Sequence, residues 1–313
     1  MTVEYPRFRN ILAVTTAFVG IQLLLGILIG IIRILVSKAT GIPVGSTFLN
    51  ISYISAALLA YIIVLKRFHR KSRLDPGSFF RRDTLSPFLS AGFALVMMGF
   101  ILLMCEMDNI MAEWKPMPSL FSSQLETMLA APGILAFIQV VLMPALLEEL
   151  LFRGYFLQGL KGTCTAGKAV VGTALLFGLI HINPWQMVSA VPLGLVFGWF
   201  AWKTGSIILP LFGHALNNLL YLVSYKYARY FAPLGVVQMQ GEDIVHLSPA
   251  LLLAGAAAAA AGGWIVLHAL RGQQTPLPRR IPRDPEALPP DVPVGTAGPS
   301  ESRSPLDGEG PVE

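Results

Sequence analysis

Charge is what this sequence has least of. Asp, Glu, Lys and Arg make up 13% of its 313 residues, against roughly 25% in a soluble domain, so a water-facing globular surface is excluded. Cysteine is nearly absent. Cys105 and Cys164 are too few for a disulfide framework or a thiolate zinc site. No HExxH pair occurs, which removes the most familiar local zinc signature, and no internal repeat is visible. The first apolar run is too long for a cleavable signal peptide and no small-residue cleavage site ends it. It reads as a retained anchor.

Apolar residues fill the space that charge leaves. They are 54% of the chain and the mean hydropathy is +0.62. Runs at 11–36, 47–65, 85–104, 132–153, 169–184, 187–202, 205–224 and 249–269 approach or exceed the about 20 residues that a helix needs to cross a bilayer. They predict an all-α polytopic transmembrane helix bundle of about eight spans. The fifth and sixth runs are short and meet around Asn183-Pro184-Trp185, so they form either a tight hairpin of spans or one interrupted unit. Small residues at Ala254–Ala261 and the glycines beside them suit close packing of the last span.

Arg7, Arg9, the basic stretch 66–73, Arg81, Arg82, Lys161, Lys168, Lys203 and Arg271 fall on one side if the spans alternate. The positive-inside rule makes that side cytoplasmic, with both termini on it. Topology therefore accounts for the net charge of +5, and no nucleic-acid partner is implied. Short loops and a compact design point to a multi-pass protein of a bacterial inner or plasma membrane. Four regions are expected: an N-terminal transmembrane region of three spans at 1–130, a membrane core at 131–225, an extracytoplasmic loop and last span at 226–271, and a cytoplasmic tail at 272–313. That tail is proline-rich and poor in large apolar residues, a composition that predicts disorder.

Three polar clusters interrupt the apolar runs. Glu148 and Glu149 are followed by Arg153; Phe177 is followed by His181; His214 is followed by Asn217 and Asn218. Ionised groups inside a bilayer are costly and survive by pairing, by lining wet space or by serving function. Their depths match. Glu148 lies 13 residues before Lys161, His181 lies 13 after Lys168, and His214 and Asn218 lie 11 and 15 after Lys203. At about 1.5 Å of rise per residue all four groups sit roughly 16–23 Å from the basic boundary, near mid-bilayer.

Helix geometry then suggests roles. His214 and Asn218 are four apart and share a face, as are Glu149 and Arg153, which are oriented for an ion pair. Glu148 is turned about 100° from Glu149, so the two carboxylates need not share a partner. Arg153 is expected to compensate Glu149, leaving Glu148 for chemistry. A carboxylate beside imidazoles in a water-poor cavity suits water activation, with His181 sharing or orienting the water. His214 and Asn218 would offer hydrogen bonds to an oxyanion. Glu148, His181 and His214 could alternatively bind a divalent metal such as zinc, although such dispersed ligands are an unspecific signal. Each cluster alone is weak, since a lone intramembrane histidine is more often a packing residue.

The ordered set EExxxR, FxxxH, HxxxN resembles the CAAX protease and bacteriocin-processing family of intramembrane endopeptidases, which includes the Ras-converting CAAX endopeptidase. Here it reads Glu148-Glu149-Leu-Leu-Phe-Arg153, Phe177-Gly-Leu-Ile-His181 and His214-Ala-Leu-Asn-Asn218, within about 130–225. The resemblance implies peptide-bond hydrolysis in which Glu148 and His181 activate water and His214 and Asn218 hold the oxyanion. Glu149 and Arg153 would support the site. It further implies a peptide or membrane-protein substrate, possibly lipidated, and needs no cofactor, with the metal-dependent hydrolase as the alternative. A non-catalytic scaffold or bacteriocin-immunity protein is a rival. A proton-coupled transporter is a weaker one, because the polar clusters gather in the second half of the chain rather than recurring in matched halves.

Overall fold

Every apolar run becomes a helix. The computed structural model describes residues 6–42, 44–238 and 243–281. The helices are α1 (Phe8–Thr40), α2 (Ser46–Ser72), α3 (Pro87–Trp114), α4 (Ser119–Ala130), α5 (Gly133–Leu157), α6 (Ala166–Leu179), α7 (Pro184–Thr204), α8 (Ile208–Lys226) and α9 (Pro249–Ala269). Short helical turns at Pro76–Phe79, Ala228–Phe231 and Ala232–Leu234 complete the described elements. No strand occurs among the described residues, and one compact unit runs to Arg280. The all-α bundle stands.

Among the described residues six helices are long and apolar enough to cross a membrane: α1, α2, α3, α5, α7 and α9. The remaining two expected spans are instructive. α6 is apolar but has only 14 residues, and α8 is diluted by His214, Asn217 and Asn218. These are the helices that carry or lead into the polar clusters. α6 and α7 are separate helices packed on each other. α4 is additional to the expected set; with Ser119, Ser122, Ser123, Gln124, Glu126 and Thr127 it carries no spanning signal.

Local chemistry sets the helix ends. Ser86 and Ser248 each accept a hydrogen bond from the backbone N–H three residues on, with Pro87 and Pro249 at the first helical position. Both features favour helix starts. Asn183 caps α7 through Trp185 N at 3.0 Å, and Gly205 ends it in the left-handed region at φ 67°, where a side chain would be strained.

Packing follows residue size. α3 and α9 form the most extensive helix pair, and glycines line the contact. A Cβ on Gly262 would lie 2.6 Å from Gly92 O, and one on Gly99 would collide with Gly255 O. Small residues let two backbones approach where lipid offers no hydrophobic drive. A second core joins α1, α2, α5 and α6 through Phe18, Tyr61, Phe68, Phe152, Phe156 and Phe177. Outward faces stay apolar, as at Leu24, Ile27 and Leu35 of α1, which suits a lipid solvent.

One boundary is corrected. Residues 272–280, assigned by composition to the disordered tail, are held in place. Lys161 Nζ donates to Pro276 O at 2.8 Å, Asp75 N donates to Arg279 O at 3.0 Å, and Leu74 bridges to Arg280. A proline-rich segment builds no core of its own, but its carbonyls can satisfy donors presented elsewhere. Here those donors come from the loop after α2 and from Lys161, which is 4% exposed. Burial first, and Arg81 second, pull the Lys161 amine down to about 7. The rest of the expected tail, 282–313, lies outside the described residues. Cys105 and Cys164 are both free thiols.

Candidate active site

The carboxylate pair sits on a helix of changing pitch. Met143–Glu149 is α-helical, flanked by π-helical stretches at Phe137–Leu142 and Leu150–Leu157. π-helical segments are rare and gather at functional sites. Pro144 supplies a local cause. It has no N–H for the carbonyl four residues earlier, which is Val140 O. Asn218 Nδ2 donates to that oxygen at 2.9 Å.

Glu149 is fully buried and Arg153 is 1% exposed. Arg153 Nη1 donates to Glu149 Oε1 at 2.7 Å, so the expected ion pair is present. His214 adds a contact to the carboxylates that the sequence reading did not assign. Glu149 Oε1 also meets His214 Nδ1 at 2.8 Å, while His214 Nε2 stands 4.0 Å from Glu148 Oε2. One imidazole therefore addresses both carboxylates through opposite nitrogens. Rotation by a residue on the helix separates the carboxylates in angle, but a five-membered ring placed between them spans that angle. Glu149 is thus an orienting acceptor for His214 as well as the counter-ion of Arg153.

Aromatic rings wall this group. The Arg153 guanidinium lies 4.1 Å from the Phe177 centroid and 5.4 Å from that of Phe197. Phe197 stacks on His214 at 5.9 Å and 26°, and Phe177 meets the same imidazole edge-on at 5.8 Å. Cation–π attraction strengthens when the cation is desolvated, and it compensates Arg153 on the faces where hydrogen bonds are missing. Arg153 Nη2 is buried without a hydrogen-bond partner.

His181 approaches from the end of α6. Its ring packs edge-on against Phe177 at 5.3 Å, and its Nδ1 stands 2.9 Å from Phe177 O. If Nδ1 carries the proton, Nε2 is left as an acceptor. The chain then turns sharply, with Ile182 at φ 54°. A β-branched residue in that region is strained, and such strain clusters at functional sites. His181 and His214 are therefore joined through one phenylalanine, not by direct hydrogen bonding among the described residues.

Glu148 is the less encumbered carboxylate. Its side chain is 13% exposed, and Oε2 is buried with no hydrogen-bond partner among the described residues. Tyr61 of α2 is buried in the core cluster against which Leu147, the preceding residue, packs. Asn218 shares a face of α8 with His214, and its Oδ1 accepts from Asn217 Nδ2 at 3.1 Å. One of its two amide hydrogens is committed to Val140 O, leaving one for other use.

Among the described residues no three His, Cys, Asp or Glu side chains are grouped to hold an ion. His214 directs Nδ1 to Glu149 and His181 directs Nδ1 to Phe177 O, contacts that leave Nε2 of each ring turned away from them. Phe197 belongs to the site without having been singled out in the sequence. Phe197 looks like span filling in its run.

Residues 130–220 match the family model for type II CAAX prenyl endopeptidase Rce1-like proteins. That segment contains Glu148, Glu149, Arg153, Phe177, His181, His214 and Asn218, and the match supports its place in the CAAX protease and bacteriocin-processing family. It covers less than a third of the chain and excludes α1, α2, α3 and α9. No curated protein and no solved structure matches the chain.

Proposed function

We propose that this integral membrane protein is an intramembrane endopeptidase that hydrolyses a peptide bond with a water activated by Glu148 and His181. The observation that carries this reading is His214 held between Glu149 at 2.8 Å and Glu148 at 4.0 Å inside an apolar bundle. The family match over 130–220 supports the protease class.

Glu148 takes a proton from water as the oxygen attacks the scissile carbonyl, and returns it to the leaving amine. His181, through Nε2, shares the same water. The tetrahedral oxyanion is met by His214 Nε2–H and by the free amide hydrogen of Asn218. To donate from Nε2 while Nδ1–H faces Glu149, His214 must carry both ring protons. Its charge then balances the set: two carboxylates against one guanidinium and one imidazolium. An ionised set with no net charge is the least costly to keep away from water. Each oxyanion donor contributes roughly 2.7–4 kcal/mol in hydrolases where one was removed.

The substrate is a peptide or membrane-protein segment that reaches mid-bilayer. The CAAX prenyl endopeptidase description of the matched family makes a prenylated carboxyl-terminal segment the first substrate class to try. The test compares membranes bearing wild-type protein with membranes bearing Glu148→Ala, scored by mass spectrometry for new peptide termini. Termini that vanish in Glu148→Ala, with melting temperature unchanged, support the reading. Identical termini in both overturn it and leave a binding scaffold of the same fold.

A further inference from the structure

α7 and α9 both pack on α3, and a groove of about 510 Å³ remains between them. Its walls are apolar: Leu195 and Trp199 on α7, Ala259, Gly263 and Leu267 on α9, with Val96 of α3 between. A Cβ on Gly263 would meet nothing within 4 Å, and Leu195 and Leu267 stay exposed, so the groove opens outward from the bundle. Each wall is a row of residues four apart, 195–199 and 259–263–267, and such residues share one helix face. The next residue in each row is a cation. Lys203 lies four after Trp199, and Arg271 lies four after Leu267, where Leu270 N bonds to Val266 O and carries the turn past Ala269. Both cations are exposed. Segments 166–210 and 249–280 contain no Asp or Glu, so these helices offer Lys203 and Arg271 no carboxylate of their own.

We infer that this groove holds one acyl chain of an anionic phospholipid, whose phosphate sits at the rim formed by Lys203 and Arg271. The length fits one leaflet. Ala259 to Arg271 is 12 residues, about 18 Å of rise, against about 15 Å for half of the hydrocarbon core. The volume falls within the roughly 300–1,000 Å³ of sites that enclose small ligands. Apolar walls alone would accept any lipid chain, so the headgroup is selected by the two cations at the rim. Basic pockets between transmembrane helices bind anionic headgroups in this way. A second copy of this chain, inserted in the same orientation, would bring its own basic rim to Lys203 and Arg271, and like charges oppose that contact. The lipid site stands whether or not the protein is a protease.

The test is native mass spectrometry of the purified full-length protein, given equal amounts of a phosphatidylglycerol and a phosphatidylcholine with the same chains. Wild type should retain one phosphatidylglycerol, several-fold over phosphatidylcholine. Gly263→Leu fills the groove where there is room for it, and replacing glycine favours the helix. It should therefore fold, as an unchanged melting temperature would check, and lose the retained lipid. Lys203→Gln combined with Arg271→Gln leaves the walls intact and should hold the two lipids equally. Equal retention of both lipids by wild type overturns the inference, and so does a phosphatidylglycerol preference unchanged in either variant. A wild-type dimer that carries no lipid and becomes a monomer in Gly263→Leu assigns the groove to a second copy, which also overturns it.

Discussion

His214 Nδ1 and Glu149 Oε1 stand 2.8 Å apart, and the same oxygen accepts from Arg153 Nη1 at 2.7 Å. Two side chains from two different helices thus converge on one oxygen atom. Glu149 is the hub: it neutralises a guanidinium, fixes an imidazole, and lies next in sequence to the carboxylate left open.

Removing either member of the buried ion pair should therefore be structural in effect. Arg153→Ala and Glu149→Ala each strand a charge, a loss on the order of 3–5 kcal/mol. Both variants should melt well below wild type in detergent, whereas Glu148→Ala should melt close to it. An Arg153→Ala protein with native melting temperature and full activity would show that the pair is dispensable.

Asn218 does two jobs that a double variant can separate. Asn218→Ala leaves Val140 O unpaired, a cost of roughly 1–3 kcal/mol, and also removes the proposed oxyanion donor. Pro144→Ala restores an N–H four residues after Val140. Combining the two should recover melting temperature without recovering cleavage. Recovery of cleavage as well would assign Asn218 to helix repair alone.

The α3–α9 seam depends on the absence of side chains. Gly99→Leu would drive its side chain into Gly255 and Ala259. Overpacking costs typically about 1–3 kcal/mol and more where backbone must move. The expected result is a lower melting temperature or loss of folded protein. The same change at Gly20, where nothing lies within 4 Å, should be tolerated.

On the side of the bundle where α3 ends, His246 Nδ1 meets Glu106 Oε1 at 2.8 Å and its Nε2 meets Glu113 Oε2 at 3.3 Å. Hydrogen bonding to Glu106 is the main cause that raises His246 above the usual imidazole range. A raised value means that the tie is at full strength below about pH 6.5, the ordinary imidazole value, and is lost as pH rises through the folded value. Amide exchange over 243–248 should therefore speed up across that window beyond its intrinsic pH dependence. His246→Ala should abolish that extra acceleration; if it does not, the tie is not what holds the segment.

Much of the site was legible because its signals are local. An i, i+4 spacing of Glu149 and Arg153 states an ion pair, and 2.7 Å between them realises it. A 14-residue α6 and a polar α8 still read as spans from their apolar content. What was not legible had no local signature. Phe197 resembles any core phenylalanine, and the hold on residues 272–280 depends on donors at 75 and 161.

Apolar run length determined, from the sequence alone, that this chain is a helical membrane bundle, and residue counts set the expectation of carboxylate, imidazoles and carboxamide at one depth. Depth is a coordinate along each helix, and counting residues measures it. The tertiary structure decided what lies across the gap at that depth. It placed His214 between both glutamates, stacked Phe197 on that imidazole, and gave Val140 O to Asn218. Those outcomes turn on the rotation and neighbours of each helix, which are set by packing among segments far apart in the chain.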